Sequence, residues 1–552
     1  MSRWNCVAVI LLIALWSCSK KSGDDSSPPA NFGSTGIRLN GQSVNSSNYN
    51  IGVSPVIQFF FSSAIDKSTV NSAVSFTDKG GAAVTYTVSY ENNDQTVALR
   101  PSGNLKYLTG YTVSVGTSLQ STSGGHLIGN PSVNFATTID SSRKFPVITD
   151  DALLTLVEQQ TFKYFWDFGH PASGMARERN TSGETVTTGG TGFAIMTIPV
   201  AITRNFITRA DGLARVQKIA SFLKNNAQHF HGAFSHWMDG STGAVIPFAA
   251  DDDGADIVET SYLVMGLLTA RQYFNAADAS ETNLRNDINN IWNQVEWDWF
   301  RQNGQNVLYW NWSPTAGWAV NVPIQGWNES LITYVLAASS NTHAIPKIVY
   351  DNGFARSGAM QNNNTYYGYT LPLGEPYGGP LFFEHYSFLG IDPVGLSDAY
   401  ANYQTQTLNH TRINYEYCKA NPEQYFGYSD SCWGLTASDI QNGYTASSPT
   451  NDVSVIAPTA AISSIPYTPA ESMKALKFFY YVLGDKLWGE YGFKDAFSVQ
   501  NLWFADSYLA IDQGPMIVMI ENYRTGLLWN LFTSCPEIKS GMTALGFSAP
   551  YL

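Results

Sequence analysis

The stretch Thr149-Asp150-Asp151-Ala152-Leu153-Leu154-Thr155-Leu156-Val157-Glu158-Gln159-Gln160-Thr161-Phe162-Lys163-Tyr164-Phe165-Trp166-Asp167-Phe168 decides the architecture of most of this 552-residue chain. Thr149 is a good N-cap type, and two acids follow where a helix dipole favours negative charge. Leu153, Leu154, Val157, Phe162, Phe165, Trp166 and Phe168 then recur at helical spacing. Similar blocks continue over 191–203, 210–226, 256–276, 281–299, 327–339, 395–405, 470–482 and 512–532. Loops rich in Gly, Pro, Asn and Trp join them, with neither a sequence repeat nor an alternation with strands, which argues against a parallel α/β sheet. About a dozen helices joined by long loops fit an all-α (α/α) toroid spanning 148–552, with its cleft at one end of the barrel.

Upstream, over 31–140, the texture is of strands. Val56–Phe61, Ala83–Tyr90, Thr96–Leu99 and Tyr111–Val115 are β-branched and aromatic, and Gly, Asn, Asp and Ser clusters separate them. Short strands at this spacing predict a small all-β Ig-like sandwich. It holds no cluster of acids or histidines, which favours a spacer role over glycan binding. The expected class is therefore multidomain, a sandwich followed by a toroid.

The first residues read as an export signal. Arg3 precedes the apolar run Val7–Leu15, which is shorter than the roughly 20 residues that span a bilayer. Leu15-Trp16-Ser17-Cys18 resembles a bacterial lipobox, which makes 1–17 a lipoprotein signal peptide and Cys18 the lipidated residue. Residues 18–30, rich in Ser, Lys, Asp and Pro, have the composition of a flexible tether. The expected location is the bacterial outer membrane, on its periplasmic face or the cell surface, with the lipid as the one membrane contact.

Charge narrows the partners. A net charge of −13 disfavours nucleic acid and polyanionic polysaccharides. Aromatic residues make up 14% of the chain, and their ring faces suit sugars as well as cores. Beyond Cys6 and Cys18, three cysteines remain; Cys418 and Cys432 are either bridged or buried free thiols.

Three acidic features carry candidate chemistry. Asp252, Asp256 and Glu259 are spaced four and three apart and would share one helical face. Asp256-x-x-Glu259 is equally a capping box, and the acids do not alternate as a calcium loop requires. Glu329 stands among Trp310, Trp312, Trp318 and Trp327. A carboxyl hemmed in by rings gains the raised pKa of a general acid, although a helix-start acid packed under aromatics has the same signature. Asp512 lies where a loop enters the last long helix, either as its N-cap or projecting into the cleft. Glycoside hydrolysis needs two such carboxyls. Thr188-Gly189-Gly190-Thr191-Gly192 lacks the Lys of a phosphate loop, and the eight His show no zinc spacing, so no metal or cofactor is expected.

From about 150 to 535 the chain resembles the glucoamylase-like proteins of glycoside hydrolase family 144. The resemblance rests on Thr191-Gly192-Phe193, Trp310-Asn311-Trp312-Ser313-Pro314, Gly326-Trp327-Asn328-Glu329-Ser330, Leu381–Ser387, Cys432-Trp433-Gly434, Pro458-Thr459-Ala460-Ala461, Tyr491–Phe497 and Ile511-Asp512-Gln513-Gly514-Pro515. It implies an (α/α)6 barrel, inverting hydrolysis of β-1,2-glucan and an acidic cleft at Asp252, Asp256, Glu259 and Glu329. On this basis Glu329 is the expected general acid, with Asp512 or one of the Asp252–Glu259 group acting on water. Trp312, Trp327, His385, Tyr386, Trp433 and His236 are the candidate substrate-binding residues. A monomer is expected, and endo against exo action is left open. The alternatives are a surface lipoprotein that holds glycan without cutting it, and a lyase, which would need a cationic cleft.

Overall fold

The computed structural model describes residues 28–552, so the signal peptide, Cys18 and most of the tether lie outside the described residues. The chain divides into two compact units after Thr138.

The first unit holds β1 (Phe32–Leu39), β2 (Ile57–Phe61), β3 (Val74–Asp78), β4 (Tyr86–Glu91), β5 (Thr96–Pro101), β6 (Gly110–Val115) and β7 (Ser132–Ala136). In one antiparallel sheet β2 lies between β1 and β5, and β5 carries β4 on its other edge. In the other, β6 pairs β3 and β7. Alternation places Ile57, Phe59 and Phe61 inward, where they meet Val97, Leu99, Val113, Val133 and Phe135 in one core.

The second unit is helical. Its main helices are α1 (Asp150–Trp166), α2 (Thr188–Thr203), α3 (Arg209–Asn225), α4 (Ile257–Tyr273), α5 (Ala279–Asn293), α6 (Leu331–Ser339), α7 (Tyr403–Ala420), α8 (Pro458–Ile462), α9 (Pro469–Tyr481), α10 (Ala510–Thr525), α11 (Leu527–Thr533) and α12 (Pro536–Leu545). Thr149 caps α1 by accepting from the Ala152 amide at 3.2 Å. Helix α2 packs on α4 and α10, α4 on α6, and α10 on α8. The 3-10 turn Ser387–Leu389 packs on α10 and is tied to α6 by the Ile332 amide on Ser387, and the turn Leu381–Glu384 just before it packs on α7. On the flanks α1 packs on α10, α3 on α5, and α12 on α6.

The glycine run of α2 serves packing. A Cβ on Gly192 would stand 2.1 Å from the Tyr262 carbonyl, and one on Gly266 would stand 2.2 Å from the Gly192 carbonyl. The backbones of α2 and α4 therefore touch where side chains would hold other helices apart.

Several predicted bounds move. The block 395–405 is mostly turn, because the Asp398 carboxylate accepts from the Tyr400 and Ala401 amides and competes with helix formation. Helix α7 begins only at Tyr403, capped by Asn402. The block 512–532 is two helices, because Gly526 takes φ +70° and ends α10. Likewise 281–299 ends as a helix at Asn293, and 327–339 begins at Leu331. Cys418 and Cys432 are buried free thiols.

Candidate active site

The N-terminal ends of α2, α4, α6 and α10 converge on one cavity of about 350 Å³. Thr187, Glu259, Glu329 and Ile511 line it from those ends. Helix N-termini carry partial positive charge, so the arrangement favours acids and developing anions. Tyr262 adds a ring from α4 itself, and Trp237, Phe248, Trp310, Phe382, Tyr386 and Tyr444 add rings from the segments between the helices.

Asp256 is the N-cap of α4. Its Oδ1 accepts from the Val258 and Glu259 amides at 3.0 and 2.9 Å, which leaves Oδ2 free to meet Nδ1 of His236 at 3.0 Å. The reciprocal half of a capping box does not form. Instead the Glu259 carboxylate turns toward α2 and accepts from the Gly189 amide at 2.7 Å. A Cβ at Gly189 would lie 2.6 Å from that carboxylate, so only glycine permits the contact. Asp252 is not on the helix at all. It precedes α4 in a turn, and Asn311 Nδ2 donates to it at 3.0 Å from a strand paired with Ala255–Asp256. The predicted single helical face is thus a cap, a helical residue and a loop residue that still form one charge cluster.

The cluster shifts its members. Burial opposes the His236 imidazolium, but Glu259, Asp256 and Asp252 outweigh it and raise its pKa to about 9. Burial raises Glu259, with the His236 charge opposing and Asp256 adding. Asp252 rises to about 6 by burial and then by the charge of Asp256. Glu329, half-buried in the loop before α6, rises to about 7, chiefly by burial and further by Glu259 and Asp256, against its own amide. Tyr262 lies beside Glu329 and Glu259, and its buried hydroxyl has no hydrogen-bond partner within the protein.

A second acidic group stands by the opposite wall. Arg179, which lines the cavity, binds Asp439 at 3.1 Å and Glu178 at 2.8 Å. The Asp439 amide donates to Asp495 at 2.7 Å. Asp512 is buried beside Asp495, and its pKa is pushed well up by burial first and the Asp495 charge second. Asp512 itself does not line the cavity, whereas its neighbours Leu509 and Ile511 do. Arg179, Asp439 and Tyr444 were not legible in the sequence, since only the fold brings segments this far apart together.

Of the candidate sugar-binding residues, His236 and Tyr386 line the cavity. Three others are corrected. Trp433 is fully buried with Nε1 donating to the Glu471 carbonyl. Trp327 is buried with Nε1 donating to Glu384 at 2.9 Å. His385 is buried against Ser464, and burial followed by the His410 charge lowers its pKa to about 3. Their ring faces are spent on packing. Trp312 is half-buried in a ring cluster with Phe230, His231 and Trp299, outside the cavity lining.

Residues 321–536 match the family model described as "Putative glucoamylase", and residues 34–137 match that of the bacterial Ig-like domain. A crystal structure of a glucoamylase of this description from Bacteroides uniformis is 55% identical, with TM-score 0.73, covering 74% of this chain and 100% of its own. The chain belongs to this glucoamylase family. The endo-β-1,2-glucanase of Chitinophaga pinensis, solved with sophorotriose and glucose, is 50% identical with TM-score 0.72, over 74% of this chain and 100% of its own. The exo β-1,2-glucooligosaccharide sophorohydrolase (non-reducing end) of Parabacteroides distasonis is 45% identical over 425 residues, 73% of this chain. This chain spans 58% of the length of that relative.

Proposed function

We propose that the protein is an exported, lipid-anchored glycoside hydrolase that cleaves β-1,2-glucan with inversion, in the cleft of an (α/α)6 toroid. The observation that carries this reading is that Glu329 and Glu259 face one aromatic-lined cavity with different surroundings. Glu329, its pKa near 7, keeps a proton at mildly acid pH and delivers it to the glycosidic oxygen as the bond breaks. Burial raises Glu259, but the His236 imidazolium and the Gly189 amide oppose that rise and favour its carboxylate, which draws the proton from the attacking water. Water then reaches the anomeric carbon from the face opposite the leaving oxygen, and the product anomer is inverted. Asp512, set back from the cavity, serves the wall rather than the water. The related endo-glucanase and sophorohydrolase support β-1,2-linked glucose as the substrate.

The test is release of reducing sugar from purified β-1,2-glucan, with Glu329→Gln alongside. Rapid release by the native protein alone supports hydrolysis; tight binding with no release by either would leave a glycan-binding lipoprotein. Product lengths over time separate endo from exo action. Palmitate labelling, compared with Cys18→Ser, tests the anchor.

A further inference from the structure

Trp327, two residues before Glu329, points away from sugar and into a buried polar knot. Its Nε1 donates at 2.9 Å to Oε1 of Glu384, a carboxyl with no exposure. The same oxygen accepts from Gln406 Nε2 at 2.8 Å and lies 2.8 Å from Nδ1 of His410. The other ring nitrogen of His410 lies 3.0 Å from the Gly379 carbonyl. His410 is thus held at both ring nitrogens, between the Glu384 carboxyl and the Gly379 carbonyl. Three residues on, Ser387 accepts from the Ile332 amide at 3.0 Å and donates to the Glu329 carbonyl at 2.5 Å. The segment 384–387 thus grips the 327–330 loop on both sides of Glu329. Phe382 and Tyr386, from the same stretch of chain, line the cavity.

We infer that Glu384 and Ser387 are positioning residues that fix the Glu329 carboxyl against the scissile oxygen, Glu384 through Trp327 and Ser387 through the Glu329 carbonyl. The inference rests on Glu329 as the general acid. A buried carboxyl oxygen held by three nitrogen partners has little freedom to move, and a misplacement of about 1 Å at a reacting group costs on the order of 100-fold in rate. Neither residue touches substrate, so their loss acts on kcat rather than on KM.

The test is a double-mutant cycle on β-1,2-glucan. Trp327→Phe keeps the ring and deletes the donor to Glu384; Ser387→Ala deletes the donor on the other side. Each is expected to lower kcat 10- to 100-fold with KM changed less than threefold, and to lose under threefold when added to Glu329→Gln. The same 10- to 100-fold loss in both backgrounds would mean general damage and overturn the inference, as would native kcat in both single variants. Native turnover by Glu329→Gln alone would instead sink the acid assignment, which separates the two failures. If Trp327→Phe does not fold, Ser387→Ala carries the same cycle.

Discussion

His236 Nε2 stands 3.9 Å from the nearer carboxyl oxygen of Glu259, while Asp256 holds the opposite ring nitrogen at 3.0 Å. The ring is thereby fixed with a proton aimed at Glu259, and its charge opposes the burial that would neutralise that acid. Glu259 in turn raises the pKa of Glu329. Burial raises both carboxyls, but only Glu259 has a neighbouring cation opposing the rise, and that difference in surroundings is what sets an acid apart from a base.

Glu329→Gln should lower kcat by three or more orders of magnitude, read from reducing-sugar release. It should also stabilise the fold at alkaline pH. Between an ordinary value of 4.5 and the folded value of about 7, the native state holds a proton that the unfolded chain has lost, so stability falls as pH rises through that window. The amide removes this penalty, and thermal unfolding at pH 8 should show a gain of about 1–3 kcal/mol that vanishes near pH 4.5. A variant less stable than the native protein at pH 8 would contradict the buried-acid reading.

The rate should fall on the alkaline side as Glu329 loses its proton near pH 7. On the acid side it should fall as Glu259 gains one. His236→Asn removes the cation that favours ionised Glu259, so the acid limb of kcat/KM should move to higher pH and the profile should narrow. An unmoved acid limb would release His236 from this role.

Tyr262→Phe deletes a hydroxyl that has no protein partner and lies at the cavity wall. The fold should lose nothing and gain up to about 1 kcal/mol, because an unpaired buried hydroxyl is a cost. KM for glucan should rise severalfold if the hydroxyl meets sugar. A fall in melting temperature with unchanged KM would place it in the structural frame instead.

Trp433→Leu tests the correction to the sugar-binding set. The ring is fully buried against Tyr415, so the change should cost about 2–5 kcal/mol of stability, measured by denaturant unfolding. KM of the folded fraction should stay native. A stable variant with weakened glucan binding would return Trp433 to the site.

The helical periodicity from Thr149 onward and the strand texture of 31–140 were legible because both are local signals. Glu329 stood out because four Trp precede it closely in sequence, yet of these only Trp310 lines the cavity with it. Trp327 and Trp433 misled because a tryptophan has one signature for packing and for stacking, and burial separates the two only after folding. Arg179 with Asp439, and Gly189 with Glu259, were out of reach because each pairing joins distant segments. The Asp252–Glu259 spacing was correct as a cluster and wrong as a helix face, since Asp256 ends the loop by capping.

The most direct measurement is a proton NMR spectrum of β-1,2-glucan, taken with the purified protein before the new reducing ends mutarotate. An acid at Glu329 and a water-activating base at Glu259 predict that the first reducing-end signal to appear is the α anomer. A β anomer appearing first would mean retention through a covalent intermediate and would contradict the account.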